Sequence, residues 1–132
     1  KIAVMYGGQI VQFGTPRELF EKPNHAFVGY FIGSPGMNLI DVEKRDGGLA
    51  FNNTQIPINS QLKARLDLIT SSNIKIGIRP EFIHIWVRLN EDRVVTSGKV
   101  YISFPEQWLK VYVDEYLLDV DEQDEHEIKE SV

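Results

Sequence analysis

From Met37 onward the chain is cut into short lengths by turn-forming residues, and within each length the apolar side chains recur at every second position. That pattern leaves little room for anything but β structure. A strand buries alternate residues, whereas a helix needs an apolar stripe at three- and four-residue intervals over a longer run. Leu39-Ile40-Asp41-Val42-Glu43 and Leu49-Ala50-Phe51 flank Arg45-Asp46-Gly47-Gly48, a strong hairpin signal, and Gln55-Ile56-Pro57-Ile58 makes a third strand whose proline suits a sheet edge. Asn52-Asn53-Thr54 fits the glycosylation acceptor pattern but reads as hairpin residues. Ile74 to Ile78 alternates, Arg79-Pro80-Glu81 turns, Phe82 to Val87 resumes as a strand, and Val94 to Ser103 and Trp108 to Val113 add two more. Gln61 to Ile69 carries Leu62, Leu66 and Ile69 at helical spacing over a turn or two, and Asp124 to Ser131 has the composition of a helix. Short strands punctuated by Gly and Pro predict a mainly β chain with short helices, built as a small Greek-key barrel of the OB type.

The first 36 residues follow different rules. Ile2-Ala3-Val4-Met5 and Gln9-Ile10-Val11-Gln12-Phe13 flank Tyr6-Gly7-Gly8, whose glycines accept the positive φ of a tight hairpin. Two strands alone are marginal in water, so Ile2 to Phe13 is expected to complete a sheet whose other strands are not in this sequence. Thr15-Pro16-Arg17-Glu18 holds a hydroxyl N-cap, proline at the first helical position and Glu at the third, which starts a helix running to about Lys22 before Pro23 stops it. Asn24 is placed to cap a second helix with Phe27, Val28, Tyr30, Phe31 and Ile32 on its apolar face, ending at Gly33 with Pro35 just beyond.

Charge and motif content narrow the chemistry. Residues 111 to 132 hold nine acids against Lys129, so this segment carries −8 and the remainder +3. Nucleic-acid binders gather Lys and Arg on one face, and here the bases are scattered, so nucleic acid is not an expected partner. The 132 residues contain no cysteine and no apolar run near the roughly 18 residues of a membrane-spanning helix. Asp119 to Glu130 has a superficial calcium-loop outline, but Asp124 stands where that loop needs glycine. His25, His84 and His126 lack a second ligand at zinc spacing, and neither Ser34 nor Ser103 lies in a nucleophile elbow. No Gly-x-x-x-x-Gly-Lys-Ser/Thr run is present to cradle phosphates. Catalytic, cofactor and metal sites are therefore not expected within this sequence.

Two runs and one block carry a family likeness. Gly8-Gln9-Ile10-Val11-Gln12-Phe13-Gly14-Thr15-Pro16-Arg17-Glu18-Leu19-Phe20 is followed by Phe31-Ile32-Gly33-Ser34-Pro35-Gly36-Met37-Asn38-Leu39-Ile40, and then by Gly77-Ile78-Arg79-Pro80-Glu81-Phe82. In that order they resemble the junction between the ATPase domain and the C-terminal regulatory domain, the TOBE domain, of maltose-type carbohydrate ABC importer ATP-binding subunits. The resemblance implies that residues 1–35 are the end of an α/β ATPase domain and that residues 36–132 are an OB-like regulatory domain cut short at its C-terminus. It implies a non-catalytic regulatory and dimerisation role here, with ATP and magnesium bound elsewhere in a parent ATPase. The implied partners are a second copy of the chain, membrane-spanning permease subunits, and a regulatory protein or ligand of unknown identity. The implied location is cytoplasmic, against the inner face of the cell membrane.

Phe31, Ile32, Gly33, Ser34, Pro35, Met37 and Asn38 are the candidates for the interdomain seam, and Gly77, Arg79, Pro80 and Glu81 for a regulatory surface. Two readings of Arg79-Pro80-Glu81 stay open at this point. Proline can stiffen a turn while Arg79 anchors a nearby carboxylate or carbonyl with its planar fork; alternatively the block contacts the ATPase domain or a regulatory ligand. A free-standing OB-type module for a small anion or sugar is the alternative for the whole chain.

Overall fold

The computed structural model describes residues 1–87 and 100–119. The chain opens with β1 (Ile2–Tyr6) and β2 (Gln9–Gly14), paired antiparallel around Gly7 and Gly8, both at positive φ. The register shifts between Val4 and Met5, where Val11 is the extra residue of a bulge in β2, and Val4 is buried. Helix α1 (Pro16–Glu21) starts with the expected capping box: the Glu18 amide donates to Thr15 Oγ1 at 3.3 Å and the Thr15 amide to Glu18 Oε2 at 2.7 Å. That second bond holds the Glu18 carboxyl below its ordinary range. Helix α2 (Ala26–Phe31) is capped by His25 rather than Asn24, because the His25 Nδ1 lies 3.1 Å from the Phe27 amide and accepts from it.

Next come β3 (Asn38–Arg45), β4 (Gly48–Phe51), β5 (Thr54–Ile56), helix α3 (Ser60–Asp67) and β6 (Ile74–Ile78). The β3–β4 turn places Asp46 and Gly47 at φ of 52° and 69°, the mirror-image geometry that two-residue hairpins require. Pro80–Phe82 forms a 3-10 turn, so the following strand β7 (His84–Val87) starts two residues later than the apolar pattern indicates. Likewise Glu106–Trp108 is a 3-10 turn between β8 (Val100–Ser103) and β9 (Lys110–Val113), and Trp108 precedes the strand instead of opening it. A short β10 (Tyr116–Leu117), absent from the sequence reading, follows a turn in which Asp114 and Glu115 both take positive φ. The expected strand residues Val94 to Lys99 and the helix Asp124 to Ser131 lie outside the described residues.

The main sheet has six antiparallel strands in the order β10-β9-β6-β3-β4-β5. Its β5 edge is followed by Pro57. Alternation sorts its residues onto two faces. Val42, Leu49, Ile56, Ile74, Ile76 and Val111 point to one core, into which α3 inserts Leu62 and Leu66. The Lys44 ammonium donates to the Leu66 and Ile69 carbonyls and so closes the C-terminal end of α3. On the outer face Met37, Tyr112 and partly buried Leu39 and Leu117 meet Ala26 of α2. A third cluster, Val4, Leu19 and Val28, binds the first hairpin to α1 and α2. Apart from β7 and β8, the described elements therefore stack in three layers: hairpin with two helices, OB-type sheet, and α3 beneath it. β7 and β8 pair as a separate two-stranded sheet.

Candidate functional site

The outer face of the sheet, where the hairpin–helix layer docks, holds most of the candidate residues. Its centre is Arg79, immediately after β6 and only 2 % exposed. The Nε donates to the Phe20 carbonyl at 2.9 Å, and Nη1 donates to Ile32 O at 2.6 Å and Gly29 O at 3.4 Å. The guanidinium carbon lies 3.8 Å from the centre of the Phe20 ring, a cation–π contact closed to water. The buried Nη2 finds no acceptor among the described residues. Burial pulls the Arg79 pKa down, countered in part by Glu81.

Tyr112 makes the second tie. Fully buried in β9, it donates its hydroxyl to the Pro23 carbonyl at 2.9 Å, and burial pushes its pKa far above the ordinary phenol value. Backbone bonds complete the seam: Ala26 N donates to Glu115 O at 2.8 Å, Leu117 N to Asn24 O at 2.9 Å, and Met37 N to Gly29 O at 3.0 Å.

Within the first candidate group, Ile32 caps α2 and is half-buried, Gly33 follows at φ +124°, and Met37 is buried under α2. Phe31, Ser34, Pro35 and Asn38 are exposed, and the Ser34–Pro35 peptide is cis. In the second group Gly77 and Arg79 are interior, Pro80 is half-buried, and Glu81 faces solvent. A Cβ on Gly77 would collide with Met37 Sδ and approach Tyr112 Cε2 to 2.9 Å. The glycine is thus what lets Met37 lie flat on the sheet. The structure brings Ile32, Gly33, Met37, Gly77 and Arg79 together, and Glu81 stands outside that cluster.

Sequence reasoning missed Phe20, Pro23, His25, Gly29 and Tyr112. Tyr112 had one usable signal, since a tyrosine on a strand's buried face must find a partner for its hydroxyl. The chain carries no comparable mark for Pro23, which acts through its carbonyl, or for Phe20, which offers its carbonyl and its ring to a guanidinium 59 residues away. Among the described residues no group of His, Cys, Asp and Glu has the disposition of a metal site, and no helix is long and apolar enough to cross a membrane.

Residues 33–83 match the family model for the MalK OB fold domain. The diacetylchitobiose uptake system ATP-binding protein MsiK of Streptomyces coelicolor is 39% identical over 75% of this chain and 26% of its own length. The sn-glycerol-3-phosphate import ATP-binding protein UgpC of Psychromonas ingrahamii is 38% identical over 74% of the chain and 26% of its own. The multiple sugar-binding transport ATP-binding protein MsmK of Streptococcus mutans is 35% identical over 95% of the chain and 36% of its own. The chain thus spans about a quarter to a third of the length of these relatives. With the three-layer arrangement around an OB-type sheet, these likenesses relate residues 33–83 to the MalK OB fold domain and most of the chain to a part of sugar and sugar-phosphate ABC importer ATP-binding subunits.

Proposed function

We propose that the chain is the non-catalytic regulatory and dimerisation region of a sugar or sugar-phosphate import ATPase subunit. In this reading residues 1–35 are the end of the ATPase domain and residues 36–132 the OB-like regulatory domain. One observation supports it above the others: a hairpin and two short helices dock on the outer face of an OB-type sheet through Arg79 and Tyr112, in a chain whose residues 33–83 match the MalK OB fold domain. Phe31 to Asn38 carry the chain across the junction, and Met37 and Gly77 form its packed floor. The buried Arg79 shapes the wall behind Pro80 and Glu81, and Glu81 is the member of that block available to a regulatory protein or ligand.

The parent subunit would bind ATP and magnesium in its preceding ATPase domain, lie at the cytoplasmic face of the membrane, and work with permease subunits that select the cargo. The chain's own task is mechanical, to hold two such subunits together. A two-fold, isologous contact is the commonest way to pair identical chains. Light scattering over a wide concentration range tests this. A concentration-dependent dimer is the expected result, and a strict monomer at the highest concentration removes the pairing role.

A further inference from the structure

Helices α1 and α2 have six residues each, far below the length at which an isolated helix holds together in water. Neither has a basic residue in its last turn to meet the carbonyls left open there. Arg79 supplies that group to both from the far side of the seam. Its Nε serves the Phe20 carbonyl at the end of α1, and its Nη1 serves Gly29 and Ile32 at the end of α2.

We infer that Arg79 is the latch of a separable layer: the first hairpin, α1 and α2 open from the OB-type sheet as one unit, at a lower free energy than unfolding of the sheet, and this one guanidinium governs the opening. Three observations carry the inference. The layer has its own small core, Val4, Leu19 and Val28, distinct from the cluster that joins the sheet to α3. Among the described residues its apolar contact with the sheet is limited to Ala26 against Met37, Tyr112, Leu39 and Leu117 and to the His25 ring against Tyr116, so much of the adhesion is polar. Finally, the closed state keeps a buried cation that has, among the described residues, no carboxylate bonded to it and no partner for Nη2, so opening returns hydration that offsets part of the lost bonding. Local opening below the global unfolding free energy is the general behaviour of elements with small private cores. Arg79 acts here as a positioning residue through the helix ends it holds.

Native-state hydrogen exchange on the full chain tests the latch. Arg79→Lys keeps the charge and loses the planar fork. Exchange of the Leu19, Lys22, Gly29 and Ile32 amides, all bonded within or at the ends of α1 and α2, is expected to rise about tenfold or more, as loss of a charged hydrogen bond predicts. Exchange in the β3–β6 ladder is expected to stay unchanged. Phe20→Leu, which removes the ring under the guanidinium and leaves every carbonyl in place, is expected to give the same selective pattern more weakly. An equal rise in helices and ladder, no rise in either, or loss of the folded ladder in both variants would overturn the inference.

Discussion

At the residue scale, β6 shows how a single missing side chain sets a layer spacing. Gly77 interrupts the run Ile74-Lys75-Ile76-Gly77-Ile78 on the outer face, while Ile74 and Ile76 fill the inner one. Gly77→Ala would drive a methyl group against Met37 and Tyr112, both buried, so it is expected to cost about 1–3 kcal/mol by overpacking. Chemical denaturation checks the figure; a variant as stable as the parent would mean that Met37 swings aside freely. The alternation of β6 was readable in the sequence, but the reason for its glycine was not, because the colliding atoms come from positions 37 and 112. Arg79 illustrates the same limit: the sequence shows a guanidinium beside a turn, and its carbonyl partners lie 47 to 59 residues away. Asn24 and His25 are both able to cap a helix, and neither composition nor spacing separates them.

Elements were legible wherever a local rule decides them. The Gly7-Gly8 and Asp46-Gly47 turns declare themselves through backbone angles that few other residues accept, and Thr15 with Glu18 declares the start of α1. The starts of β7 and β9 were displaced because Phe82 and Trp108, apolar enough to read as strand, instead stack in parallel at 4.0 Å from their 3-10 turns. The first hairpin received cover from α1 and α2 on one face only. On the other, Met5, Ile10 and Phe13 are each about 60 % exposed, an apolar strip that costs solubility. Ile10→Lys is therefore expected to lower self-association and dye binding to exposed apolar surface, with little change in melting temperature, because no native contact in the closed core is lost. Sedimentation and a dye titration decide it, and a melting temperature lowered by several degrees would show that Ile10 packs against something within the chain.

For the whole molecule, the layer order rests on contacts between distant segments, which is why the OB-type sheet could be anticipated from the strand pattern and the docking of the first layer could not. The sequence contains no phosphate-cradling loop, so magnesium ATP is expected to give no heat of binding in calorimetry at concentrations up to the millimolar range; a saturable micromolar isotherm would contradict it. The Tyr112 hydroxyl that ties β9 to Pro23 also makes the assembly sensitive to alkali. Its ionisation is held above the unfolded value, so the stability it lends is fully present below about pH 10 and drains away as the pH climbs toward the raised folded value. Tyr112→Phe should be less stable than the parent by about 1–2 kcal/mol at neutral pH. The two melting curves should converge as the solution is made strongly basic, and a gap that stays constant with pH would show that the phenol is not what alkali attacks. A single buried hydroxyl would then add strong base to the conditions that loosen the first layer, alongside the acid that neutralises the Glu18 carboxylate at the start of α1.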